Sequence, residues 1–200
     1  MTHQARAEET RSNILAAAEI CFSRSGYEAA SVAVICQQAG VTKGAFYYHF
    51  ATKQALFLEL LNSWLETLDV QFQHIRGEGK SVPHGLVEMA GSMRVIFAES
   101  ANFLPMFLEF WLHAAREPHI WQMVIEPYRR YQAYFSAFLQ EGQAEGSLRP
   151  VDTSLAARAL LSMAIGLVLQ GTIDPQGADW TQTSQESVRL LLEGLQKEAG

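Results

Sequence analysis

Residues 31–50 read SVAVICQQAGVTKGAFYYHF, and this stretch decides the fold of the N-terminal part of the chain. Ser31 is a good N-cap for a short helix, and Gly40 fits the left-handed position that closes it. Thr42 then caps a second short helix, Lys43 to His49. Two short helices joined by a tight turn that contains glycine are typical of a helix-turn-helix.

The second helix of this motif has an inward and an outward face. Phe46 and Phe50 are four residues apart, so we expect both to pack against the core. Outward residues of such a helix can lie in the major groove of DNA, where hydroxyl and NH groups reach phosphates. Ser31 and Lys53 lie at or next to helix starts, whose free NH groups favour a phosphate. The candidate DNA-contact residues are therefore Ser31, Lys43, Gly44, Ala45, Tyr47, Tyr48, His49 and Lys53.

These side chains also have ordinary alternative interpretations. Lys43 can be a solvated lysine, and a contact with DNA can be to a base edge or to a phosphate. Tyr47 and Tyr48 can be core or surface aromatics. Because two adjacent tyrosines on a helix cannot both be buried on one face, we expect at least one of them to contact DNA.

The distribution of charge is compatible with DNA binding, although the whole chain carries a net charge of −6. Residues 1–55 contain five Lys and Arg against four acids, and the remainder contains ten against seventeen. An acidic body does not exclude DNA binding where the local face is neutral or basic.

Helical periodicity is nearly continuous along the chain and predicts an all-α fold. A polar, glycine-rich break at residues 76–80 separates two parts. We expect an N-terminal three-helix DNA-binding domain at residues 1–55, linked through a helix at 56–76 to a C-terminal helical ligand-binding and dimerisation domain at 77–200. The nine predicted helices lie at about residues 7–25, 31–39, 43–49, 53–76, 83–99, 104–116, 119–141, 154–170 and 183–197.

Residues 40–56, GVTKGAFYYHFATKQAL, resemble the signature of the TetR family of bacterial regulators. The motif match covers about residues 10–60, and the rest resembles the family in length, helix number and helix order. The resemblance implies a DNA-binding domain followed by a ligand and dimer domain. It also implies that the DNA contacts fall on Thr42 as well as on the eight residues named above.

Large, soft side chains are frequent in the C-terminal half, and such side chains adapt to irregular apolar ligands. The alternative is that most of them simply fill the core. The polar groups that could orient a ligand are Glu109, His113, Arg116, Tyr128 and Tyr131, although Glu109 and His113 are four apart and could pair with each other. The candidate effector-binding residues are Met89, Met93, Phe97, Phe107, Phe110, Trp111, His113, Met123, Tyr128, Tyr131 and Met163.

The last two predicted helices are the expected dimer interface. Small residues on one face permit close approach of a second copy, and leucines on the final helix supply apolar area. A two-fold dimer presents its recognition helices about 34–36 Å apart, which matches a palindromic operator. The alternative is burial within one chain. The candidate interface residues are Ala156, Ala159, Leu160, Ala164, Leu167, Leu191, Leu192 and Leu195.

Several classes of protein are not favoured by the sequence. No His and Cys spacing suits a metal, so we expect neither a metal site nor a cofactor. No Gly-rich phosphate loop or nucleophile elbow supports an enzyme. The most apolar run, 155–169, is interrupted by Arg158 and Ser162 and is shorter than a membrane span of about 20 residues. With no apolar leader at the N-terminus, we expect a cytoplasmic protein with no membrane partner.

The sequence therefore predicts a ligand-responsive transcriptional repressor. It would bind double-stranded operator DNA as a homodimer and be released by a small apolar or aromatic effector. One alternative is an activator or a regulator that needs no ligand. A more distant alternative is a small helical enzyme or a carrier of apolar molecules.

Overall fold

The computed structural model describes residues 3–94 and 107–195, and this part of the chain is helical, as predicted. Most of the predicted tail of the fifth helix and the start of the sixth, with Phe97, lie outside the described residues. The order of the predicted helices is confirmed. The helices are α1 (His3–Ala29), α2 (Val32–Ala39), α3 (Lys43–His49), α4 (Lys53–Gly77), α5 (Val82–Gly91), α6 (residues 107–114), α7 (Pro118–Ala144), α8 (Thr153–Ile173) and α9 (Trp180–Glu193).

The predicted helix caps are confirmed by their hydrogen bonds. The Ser31 hydroxyl accepts from the Val34 NH at 3.3 Å, and Gly40 closes α2 at φ 67°. The Thr42 hydroxyl accepts from the Ala45 NH at 3.1 Å at the start of α3. Each contact satisfies an NH or carbonyl group that the helix itself leaves unpaired, so short-range sequence signals fix where α2 and α3 begin and end.

Helix α1 begins four residues earlier than the sequence predicts, and its first segment ends at Gly26, as predicted. Gly26 has the positive φ expected of a closing residue, φ 79°, but its ψ of 169° turns the chain into a new helical turn that reaches Ala29. The Gly26 carbonyl accepts from the Ala30 NH at 3.4 Å and so begins this turn. Gly26 therefore ends the first segment of α1 and separates it from the short turn that follows, because glycine adopts this backbone conformation without the steric cost that a β-carbon brings.

The described chain forms two compact units, and the first consists of residues 1–66 together with 102–124. Its core combines side chains from α1–α4 with Phe110, Ala114, Ile120 and Val124. This differs from the predicted partition, which placed all residues after 77 in the other domain. Residues 107–124 pack with the helix-turn-helix because their apolar side chains complete its core.

The second unit consists of residues 67–101 and 125–200. Its core draws on the distal half of α4 and on α5, α7, α8 and α9. Helix α8 is long and apolar enough to cross a membrane by length and composition alone, a criterion that a core helix also meets. Ala157 and Leu160 of α8 are buried in this core, so α8 is also a packed helix of the unit.

We expect Gly26→Ala to destabilise the protein more than Gly40→Ala does. Gly40 has φ 67° and open space where a β-carbon would lie, so alanine there costs about 1 kcal/mol for left-handed backbone. A β-carbon at Gly26 would lie 2.5 Å from Glu109 Oε2, and moving that carboxylate away costs about 1–2 kcal/mol more in lost hydrogen bonds. Chemical denaturation of both variants measures the difference. Equal losses for the two variants would contradict this packing.

Candidate nucleic-acid interface

Helix α3 is fixed from behind by aromatic side chains. Phe46 is fully buried, Phe50 is 4% exposed, and their ring centroids are 6.0 Å apart. Both predictions for the inward face are confirmed. With these two rings in the core and the Thr42 cap at its start, α3 presents its remaining side chains outward on a rigid support.

The outward face of α3 carries the predicted contact residues of this helix. Tyr47 is 55% and Tyr48 is 74% exposed, so both tyrosines lie on the surface rather than in the core. The Tyr48 ring packs edge-on against the His49 ring, with centroids 4.9 Å apart, which limits the orientations of both. Lys43 and Gly44 are exposed, and no hydrogen bond or ion pair of Lys43 is present among residues 3–94 and 107–195.

Three more of the predicted DNA-contact residues lie at or near the starts of α2 and α3. Ser31 and Thr42 are exposed, and their hydroxyl oxygens accept the capping hydrogen bonds, which leaves each hydroxyl proton available to a phosphate. Ala45 is half-buried. Its small side chain permits close approach of the helix backbone to a groove.

Lys53 differs from the other predicted contact residues. Its ammonium donates to the backbone carbonyl oxygens of Tyr27 at 2.7 Å and of Glu28 at 3.3 Å, and it lies 4.3 Å from the centre of the Tyr27 ring. Burial lowers the pKa of Lys53 below its ordinary value, while the carboxylates of Glu28 and Glu109 oppose that shift. The sequence prediction placed this charge at a DNA phosphate, whereas the structure places it on the protein's own backbone.

Sequence reasoning also missed a role for Arg11 of α1. Its guanidinium pairs with Glu59 of α4 and lies 5.4 Å from the centre of the Phe50 ring, at the end of α3. Arg11 of α1 therefore contacts both α4 and the end of α3. A signal was present, because Arg11 precedes Ile14 and Ala18 at the spacing of one helix face, next to the apolar stripe that faces the core.

The predicted effector-binding residues of the first unit have different environments. Phe110 is fully buried in the core, where its ring stacks on Phe57 with centroids 4.1 Å apart. Trp111 is 42% exposed and contacts the rings of Phe107 and Trp121. The two remaining residues of the set are the half-buried His113, whose Nδ1 lies 3.0 Å from a Glu28 oxygen, and the exposed Met123.

The predicted residues of the second unit include one that lines a cleft. Tyr131 donates from its hydroxyl to Asp69 at 2.7 Å, and burial together with the Asp69 charge raises the pKa of Tyr131 above its ordinary value. Arg130 also pairs with Asp69, at 2.8 Å. The cleft has a volume of about 250 Å³ and is lined by Asp69, Phe72, Gln73, Arg130, Tyr131 and Tyr134. Met89 and Met93 are buried, whereas Tyr128 and Met163 are half-buried.

Half of the predicted dimer residues point into their own unit. The side chains of four of them are at most 8% exposed and belong to the core, and these four are Ala156, Leu160, Leu167 and Leu192. Periodicity cannot tell the two faces of an apolar helix apart, and at these four positions the structure has the alternative named above, burial within one chain. Ala159 is exposed, and Ala164, Leu191 and Leu195 are half-buried. The large apolar side chains that α8 and α9 expose are Leu155, Ile165, Leu169, Ile173 and Leu190.

A capped helix-turn-helix with an exposed recognition helix, joined to a larger helical unit, defines a DNA-binding transcriptional regulator. Residues 14–60 match the bacterial regulatory proteins of the tetR family, and residues 97–197 match the C-terminal part of the BetI-type transcriptional repressors. The chain belongs to the TetR family. It is a regulator of this type with a DNA-binding domain, and its relatives are transcriptional regulators rather than enzymes.

The chain is similar to its relatives over nearly its whole length. It is 25% identical to the HTH-type transcriptional regulator UidR of Escherichia coli K12, covering 96% of this chain and 95% of UidR. It is 29% identical to the A-factor receptor protein of Streptomyces griseus, covering 98% of this chain and 67% of that protein. Among solved structures, Salmonella enterica GusR superposes with a TM-score of 0.71 at 26% identity, covering 92% of this chain and 95% of that one.

We expect Lys43→Ala to weaken DNA binding about tenfold, which is the loss typical of one direct contact. If the contact is to a phosphate, the slope of log K against log salt also falls by about 0.9. Arg24→Ala is the matched control, because Arg24 is an exposed cation of the same unit on α1. Fluorescence anisotropy over a series of salt concentrations measures both quantities, and equal effects of the two substitutions would contradict a direct role of Lys43.

Proposed function

We propose that the protein is a transcriptional repressor that binds a palindromic operator as a homodimer and is released by a small apolar or aromatic effector. The observation that carries the proposal is the exposed face of α3, supported from behind by Phe46 and Phe50. A helix so fixed can enter a major groove without first being ordered, so little conformational entropy is lost on binding. The name of the matched C-terminal family, a repressor, favours repression over activation.

The homodimer is supported by an apolar stripe on α8. Ile165, Leu169 and Ile173 follow one another at intervals of four, so they share one helix face, and they are 57%, 42% and 74% exposed. Leu190 of α9 is 72% exposed. Contiguous exposed apolar surface is typical of a protein–protein interface, and a self-complementary patch gives a two-fold dimer. As the proposed dimer interface, this stripe takes the place of the predicted interface residues that are buried within one chain.

An effector is supported by the chemistry of both units. Aromatic side chains are partly exposed in the first unit at Phe107, Trp111 and Trp121, and the second unit contains the cleft that Tyr131 lines. Aromatic and apolar walls with a few polar groups are typical of small-molecule sites. The A-factor receptor protein is by its name a receptor, and this similarity favours a ligand-responsive regulator. Operator DNA as the partner implies a cytoplasmic protein.

Deletion of the gene tests the proposed function in the cell. Repression predicts that transcription from the protein's own promoter region rises in the deletion strain, and that purified protein protects a palindromic sequence there from nuclease. A fall in transcription would show an activator instead. Absence of any sequence-preferring binding to that region would contradict the proposal altogether.

We expect Ile165→Glu to dissociate the dimer, because it places a charge within the exposed stripe of α8 and burying an unpaired charge is costly. Leu112→Glu is the matched control, since Leu112 is 70% exposed on α6 in the other unit. Sedimentation velocity measures the mass of each variant. A dimeric Ile165→Glu protein at micromolar concentration, or a monomeric wild type, would exclude this interface.

A further inference from the structure

The dipeptide Tyr27–Glu28 is held by two opposite charges from distant parts of the chain. One carboxylate oxygen of Glu109 accepts from the Tyr27 NH at 2.8 Å, and the other accepts from the Glu28 NH at 2.9 Å. The Lys53 ammonium binds the carbonyl oxygens of the same two residues. All four polar groups of the dipeptide backbone are therefore bonded to charged side chains.

The break at Gly26 explains why the dipeptide needs these partners. The chain restarts its helix after Gly26, and the first NH groups of a new helical turn have no carbonyl partner within it. A carboxylate at that position satisfies two of them with charge-assisted hydrogen bonds. Gly26 also makes the space, because a β-carbon there would lie 2.5 Å from Glu109 Oε2.

The dipeptide lies directly before the DNA-reading helices. Ala30 is fully buried, and Ser31 caps α2. Because the chain between the dipeptide and that cap is so short, a displacement of Tyr27–Glu28 shifts the start of α2 and, through its packing on α3, the recognition helix. Burial of the Tyr27 ring against Phe57 and Phe110, with centroids 5.3 Å and 4.8 Å away, leaves the dipeptide little freedom of its own.

We propose that Lys53 and Glu109 are positioning residues for DNA binding, which together fix Tyr27–Glu28 and hence the start of α2, and that Lys53 acts through this backbone contact rather than through a DNA phosphate. The proposal rests on operator binding by the protein. It differs from a direct contact in a measurable way. Loss of a phosphate contact reduces the slope of log K against log salt by about 0.9, whereas loss of a positioning contact weakens binding at every salt concentration with the slope unchanged.

The test compares Lys53→Gln, Glu109→Gln and the double variant in the full-length protein. We expect each single substitution to weaken operator binding about three- to tenfold with an unchanged salt slope. The double variant is expected to lose less than the product of the single losses, because both side chains hold one dipeptide. Anisotropy with a labelled operator gives the affinities, and Lys43→Gln serves as the comparison for a direct contact, whose slope falls by about 0.9 if that contact is to a phosphate.

Glu19→Gln is the matched control for the removal of a carboxylate. Glu19 is exposed on α1, so its loss reduces repulsion of DNA and is expected to leave affinity the same or slightly higher. Glu109→Gln removes the same charge but is expected to weaken binding. The proposal is overturned if Lys53→Gln reduces the slope by a full phosphate, or if Glu109→Gln behaves like Glu19→Gln.

A measurement on the wild type keeps the test independent of variant folding. Amide hydrogen exchange of free protein should show the Tyr27 and Glu28 NH groups at least as protected as the Phe46 NH of α3. Fast exchange of both would overturn the proposal. A wild type that binds no operator would contradict the proposed function, and the exchange of these two amides would still decide whether the dipeptide is held.

Discussion

The burial of Tyr27 is the interaction on which the rest of the first unit depends. Its ring is 1% exposed and contacts Phe22 of α1, Phe57 of α4 and Phe110 of α6 with centroids 5.5, 5.3 and 4.8 Å away. Burying one large aromatic side chain contributes roughly 1.5–3 kcal/mol, and edge-to-face packing adds to this. The Tyr27 ring therefore contacts three helices that are distant in sequence. The backbone of Tyr27 is in turn hydrogen-bonded to Lys53 and Glu109.

This arrangement connects the core of the unit to its DNA-facing surface. Ile35 of α2 and Phe46 of α3 are fully buried in the same core as Tyr27, so the two DNA-reading helices are held by the packing of the whole unit and not only by their own turn. Arg11 adds a second link, since it pairs with Glu59 and lies over the Phe50 ring. Helices α6 and α3 thus share one packed core, and this core is the physical route by which the proposed effector would act on the DNA-binding surface.

What the sequence could predict was local. Ser31, Gly40 and Thr42 fix the ends of α2 and α3 through contacts within four residues, so their roles are visible in the sequence itself. The pairing of Glu109 with the Tyr27 and Glu28 NH groups spans about eighty residues and carries no periodic signal. Helix α8 is apolar over most of its surface, so spacing alone could not distinguish the buried Leu160 from the exposed Ile165; only packing against the rest of the unit decides this.

The central claim is that residues 107–124 and the helix-turn-helix form one cooperative unit around Tyr27. Native-state hydrogen exchange at increasing denaturant tests it most directly, because amides that open in one event share both their opening free energy and its denaturant dependence. We expect the core amides of α3 and α6, at Phe46 and Ala114, to converge on one opening free energy. Opening of α6 at a much lower free energy, with α3 still protected, would contradict it.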